Sequence, residues 1–66
     1  MNIFLNNEPE MLSDGSTVKK LLDNKNIKNT YYAVEINRKI VPKSHHETYV
    51  IKDGDRVEII TAIGGG

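Results

Sequence analysis

Asp53-Gly54-Asp55-Arg56-Val57-Glu58-Ile59-Ile60-Thr61-Ala62-Ile63-Gly64-Gly65-Gly66 closes the chain and decides how the rest of it is read. Asp-Gly-Asp is a strong turn signal. The residues from Val57 to Ile63 then read as a strand, with Val57 and Ile59 turned inward. Three glycines follow the strand directly. Lacking a Cβ, they reach backbone conformations closed to other residues and pass through gaps that exclude side chains. Extended, residues 64–66 span roughly 10 Å, at about 3.3–3.6 Å each. Such an end suits delivery of the Gly66 carboxylate into another protein's active site. The plainer reading is a frayed terminus, which many domains have.

Working back from that end, the 66 residues make one small domain. A chain this short buries only about 60% of the surface its unfolded form exposes. It has no cysteine, so neither a disulfide framework nor a thiolate metal site supports it. With 38% hydrophobic residues, no tryptophan and one phenylalanine, few side chains can be spared to wall a catalytic pocket. An enzyme in its own right is not expected.

Nine basic and nine acidic residues cancel, which argues against nucleic acid as a partner. No stretch approaches the ~18 apolar residues of a membrane span. Residues 1–6 are too short and too polar-flanked for a signal peptide, so the expected location is cytoplasmic.

The alternation in residues 1–6 puts Ile3 and Leu5 on one strand face and Phe4 on the other. Asn6-Asn7 fits a tight turn, because asparagine tolerates the left-handed conformation. A second strand returns over residues 8–12, with Pro9 confining it to a sheet edge. Ser16 or Thr17 caps a short helix whose apolar face is Val18, Leu21 and Leu22; Lys19, Lys20 and Asp23 take the wet side. Residues 24–30 read as a loop. Residues 31–37 alternate again, with Tyr32, Val34 and Ile36 on one face.

Asn37-Arg38 fits a second hairpin turn, although Arg38 at positive φ costs what a glycine would not. Ile40-Val41 is a short apolar run closed by Pro42. Residues 43–48 read as irregular, and Tyr49-Val50-Ile51 as a strand remnant or the apolar end of the loop. The order of hairpin, helix, hairpin and final strand gives an α+β domain, a mixed sheet of four to five strands with one helix on one face. The first and last strands are expected as parallel central neighbours. The domain is expected over residues 1–63, with a flexible tail over 64–66.

That order, the Ile3-Phe4-Leu5-Asn6 strand, the Thr17-Val18-Lys19-Lys20-Leu21-Leu22 helix start, Val34-Glu35-Ile36-Asn37-Arg38-Lys39-Ile40-Val41-Pro42, the Asp-Gly-Asp turn and the glycine end together resemble the ubiquitin-like β-grasp sulfur carriers. The likeness spans the whole chain and is nearest to the ThiS family, which serves thiamine thiazole synthesis. Arg38 departs from it, standing where family members often place a glycine.

The resemblance implies that a ThiF-like adenylyltransferase of the ubiquitin-activating type transfers AMP from ATP to the Gly66 carboxylate. A sulfur donor protein then converts the adenylate to a thiocarboxylate, and a ThiG-like thiazole synthase takes the sulfur. ATP and magnesium belong to the partner, so no cofactor is expected on this chain. Gly64 and Gly65 serve passage of the tail. If Ile3, Leu5, Val57 and Ile59 face the helix, then Phe4, Ile60 and Ala62 lie on the open face, Phe4 beside Ile60, as a docking surface.

Other pairings carry less. His45-His46 point to opposite sides of an extended chain and have no third ligand beside them. Asp53 and Asp55 are expected to shape a turn rather than hold calcium. Tyr31-Tyr32 has no basic groove to make it a base-stacking pair. The remaining functional alternatives are the small subunit of molybdopterin synthase, a protein modifier joined to targets through Gly66, and a non-catalytic β-grasp interaction module. A monomer is the simplest expectation.

Overall fold

The computed structural model describes residues 1–27 and 32–61. Strand β1 (Asn2–Leu5) turns at Asn6 and Asn7 into β2 (Glu8–Met11). Both asparagines sit at positive φ, +50° and +69°, the backbone that a two-residue hairpin requires and that most side chains resist. β2 lies at the sheet edge, where Pro9, opposite Phe4, has no N–H to offer a further strand.

Helix α1 (Val18–Asn24) begins at Thr17, whose hydroxyl accepts from the Lys20 amide at 3.2 Å. Ser16, the alternative cap, instead donates to the Ser13 carbonyl at 2.7 Å and closes the preceding turn. At the other end Asn26, with φ +55°, donates to Asp23 O, and Ile27 donates to Leu22 O. This is a Schellman stop with asparagine in the left-handed position. Val18, Leu21 and Leu22 are buried. Seven residues make a helix too short to persist alone, so burial of this face against the sheet is what holds it.

The second hairpin joins β3 (Tyr32–Ile36) to β4 (Lys39–Ile40) through Asn37 and Arg38, at φ +52° and +70°. The following segment, expected to be irregular, is ordered. A 3-10 turn spans Lys43–His45, and His46 is buried, its Nε2 at 2.9 Å from the Val41 carbonyl and its ring 5.9 Å from that of Tyr32. The segment also closes the helix start: Val18 N donates to Tyr49 O and Lys19 N to His46 O, two amides that the helix itself leaves without partners. The expected strand remnant at Tyr49-Val50-Ile51 is a single bridge, Thr17 to Val50, beside a buried Ile51.

The last strand, β5 (Arg56–Thr61), occupies the middle of a five-stranded sheet of order β2-β1-β5-β3-β4. It is parallel to β1 over two rungs and antiparallel to β3 over five. Asp53 and Asp55 shape the turn before it, around Gly54 at φ +84°. Asp53 Oδ1 accepts from Asn2 N at 2.7 Å, while the two Asp55 oxygens accept from Lys52 N and from Asn37 Nδ2. The core between helix and sheet is built on Ile3, Leu12, Val18, Leu21, Leu22, Val34, Ile36, Val41, Ile51 and Val57. The α+β architecture is as expected. The domain boundary placed after Ile63, and the tail beyond it, lie outside the described residues.

Two stability predictions follow from these contacts. Leu21→Ala removes a fully buried side chain from the face that packs α1 on the sheet and should cost about 2–5 kcal/mol in chemical denaturation. Arg38→Gly exchanges a left-handed penalty of roughly 1–2 kcal/mol for a glycine entropy cost of about 0.5–1 kcal/mol. It should therefore raise the denaturation midpoint modestly, and a lowered midpoint would contradict the turn geometry.

Candidate functional site

The end of β5 is held from both sides. Tyr32 to Ile36 pair with it rung by rung, the last rung joining Tyr32 to Thr61. On the other side β1 turns away after Leu5, but Asn6 continues its ladder. The Asn6 amide donates to Val57 O at 2.9 Å, and its side-chain Oδ1 accepts from Ile59 N at 2.9 Å. Asn6 thus does two jobs, turning the hairpin and clamping the final strand, and only the first was legible from the sequence. The described chain reaches its last residue, Thr61, from the middle of the sheet rather than from an edge. Ala62, Gly64, Gly65 and Gly66 lie outside the described residues.

Strand alternation sends Phe4, Arg56, Glu58 and Ile60 to the face away from the helix. Ala33 and Glu35 share that face, opposite Ile60 and Glu58. Phe4 is 38% exposed and Ile60 50% exposed, as expected of the open face. Their expected side-by-side placement is corrected by the register: Phe4 stands opposite Arg56, and Ile60 lies four residues further along β5, about 13 Å at ~3.3 Å per residue. The Asp53–Asp55 turn sets this register. It ties the start of β5 to β1 through Gly54 N to Asn2 O and Phe4 N to Asp55 O. The Arg56 guanidinium sits 4.9 Å from the centre of the Phe4 ring, a cation–π contact on the open face. Arg56 is a member of this surface that sequence reading missed; its alternation with Val57 was the available signal.

His46 is accounted for by packing, with Nε2–H donated to the Val41 carbonyl. Lys19 lies on the exposed helix side, paired with Asp23 at 3.1 Å; that hydrogen bond and the Asp23 charge raise the Lys19 pKa. No helix among the described residues is long and apolar enough to cross a membrane.

Comparisons with known proteins agree with this arrangement. The model of the ThiS family matches residues 3–66, a span that includes the glycine end. The sulfur carrier protein ThiS of Escherichia coli is 30% identical over 66 residues, with both chains covered completely. A thiazole synthase of Paramagnetospirillum magneticum is 39% identical over 66 residues, and there the chain spans only about 20% of the relative's length. The crystal structure of the thiamine biosynthesis protein ThiS from Geobacter metallireducens superposes with a TM-score of 0.85 at 29% identity, each chain fully covered. The fold is therefore the ubiquitin-like β-grasp, and the chain belongs to the ThiS family, the sulfur carriers of thiamine biosynthesis.

Proposed function

We propose that the Gly66 carboxylate is the reacting group of this chain. It is adenylated by an activating enzyme, converted to a thiocarboxylate, and spent as the sulfur source for the thiazole ring of thiamine. The observation that carries the reading is the family match running to residue 66. A terminal carboxyl has a pKa of roughly 3.3–3.7, so at neutral pH it is an anion and a poor electrophile. Joining it to AMP, with pyrophosphate released from ATP, gives the acyl carbon a good leaving group. The terminal sulfur of a persulfide then attacks that carbon and AMP departs. Cleavage of the sulfur–sulfur bond by a thiol leaves the thiocarboxylate. ATP and magnesium are held by the activating enzyme in this scheme, and the cytoplasm is its proposed compartment.

The chain contributes presentation. A strand fixed in the middle of the sheet gives the tail a rigid root, and Gly64 and Gly65 let the backbone enter a narrow channel. The open face around Phe4, Arg56 and Ile60 docks on the enzyme in this reading, and Ala62, outside the described residues, is proposed as a further contact. Exposed apolar residues on so small a domain fit that use. Thiazole synthase is the favoured sulfur acceptor, because chains carrying that name contain a segment similar to this whole domain. The family match favours this branch over the molybdopterin synthase subunit.

Pyrophosphate release with ATP and the adenylyltransferase of the same cell tests the scheme. Gly65→Val should fold normally, by its amide spectrum, yet release pyrophosphate roughly a hundredfold more slowly. Normal turnover of that variant would remove the threading requirement. Ile60→Asp should leave the melting temperature near wild type and lower kcat/KM by about tenfold, as loss of an interface anchor does. An unchanged kcat/KM would move the docking surface elsewhere.

A further inference from the structure

The two edges of the sheet are not equivalent. β2 is closed to further pairing by Pro9, whereas β4 is open. Val41 N donates inward to Val34 O at 2.8 Å, so by strand alternation the Ile40 amide and carbonyl point outward, away from the sheet. Ile40 is itself 63% exposed and Tyr49 38% exposed. Beside this edge runs a groove of about 400 Å³, with Ile40, Val41, Pro42 and Tyr49 supplying apolar wall. Lys39 and His45 stand in the same lining, which contains no carboxylate.

The charge pattern along the chain reinforces that asymmetry. Residues 36–46 carry Arg38, Lys39 and Lys43 with both histidines and no acid, in a chain whose net charge is zero. Arg38 and Lys39 bring positive charge to the β3–β4 hairpin, whereas Lys43 lies over the Tyr32 ring and outside the groove lining. The groove is also remote from the root of the tail. Ile36, in its lining, pairs with Val57 at the start of β5, whereas Thr61, the last described residue, stands at the other end of that strand.

We propose that this groove and the β4 edge bind an extended, acidic and aliphatic segment of a partner protein. An aliphatic side chain of the segment fills the hollow between Ile40 and Tyr49. Flanking carboxylates meet Lys39 and the Arg38 tip, and the segment's backbone pairs with Ile40. Two residues of β4 are too few to template a whole sheet, and Lys39 discourages indiscriminate pairing, so the apolar groove and the charges supply the selectivity. A nucleic acid or a phosphate would satisfy the cations but not the apolar wall, which favours a peptide. Because the site lies at the far end of β5 from Thr61, the segment can hold the carrier while the glycine end is engaged.

Amide spectra of the isotope-labelled protein, titrated with a capped hexapeptide alternating aspartate and leucine, test this directly. The expected result is saturable shifts at Lys39, Ile40, Val41, His45 and Tyr49. Affinity should fall roughly fivefold in Lys39→Glu, in line with loss of one exposed charge pair, and fall similarly in Tyr49→Ala. Both substitutions are at exposed positions, and retained spectral dispersion verifies that they fold. The proposal is overturned by absence of shifts at millimolar peptide, by shifts that map to Phe4 and Ile60 instead, or by equal binding of a lysine–leucine hexapeptide.

Discussion

The hydrogen bonding of β5 on both sides is the constraint on which the rest of the molecule depends. The last strand to be made becomes the central one, paired with the first strand on one side and with β3 on the other. Its inner residue Val57 is fully buried, and the helix exists only as the cover of that inner face. Asn6 and Asp55 are the two polar fixings. One carries the ladder of β1 past its end to Ile59, and the other locks the preceding turn to Asn37. A tail leaving an edge strand would inherit the fraying of that edge. A tail leaving the middle of a sheet starts from a point whose neighbours cannot move independently.

Much of this fold was legible because local chemistry demanded it. Asn6-Asn7 and Gly54 mark places where the backbone adopts positive φ, and such residues announce themselves. Thr17 before Val18, Leu21 and Leu22 is an equally local signal. What escaped was set at long range. The register between β1 and β5 comes from a turn fifty residues from the strand it fixes, so Phe4 lies by Arg56 rather than by Ile60. The loop after Pro42 is ordered by backbone carbonyls that satisfy the helix start, and carbonyls leave no trace in residue identity. The sequence put His45 and His46 on opposite sides of an extended chain and gave no sign of what His46 meets; in the fold it is a packed ring against Tyr32.

The functional residues divide in the same way. The glycine end and the segments shared with the β-grasp sulfur carriers were readable directly, and that resemblance implied a carrier rather than a catalyst, which is the role of the ThiS family. Arg56, lying over Phe4 on the open face at the start of β5, was missed, although its alternation with Val57 marked it for that face. Its charge sets Phe4 in a mixed surface, apolar with a cation, of the kind that anchors interfaces without making the free domain insoluble. The chain's balanced charge conceals a local imbalance, with three of the nine basic residues and no acidic one in residues 36–46.

The central claim is that one atom group, the Gly66 carboxylate, carries the chemistry while the fold carries the tail. Intact mass spectrometry of the protein after incubation with ATP, a persulfide donor and the activating enzyme of the same cell tests it most directly. The account predicts a mass gain matching replacement of one oxygen by sulfur, mapped by fragmentation to residue 66 and lost when Gly66 is deleted. An unchanged mass with an enzyme proven active on another carrier, or a gain that survives the deletion, would contradict it.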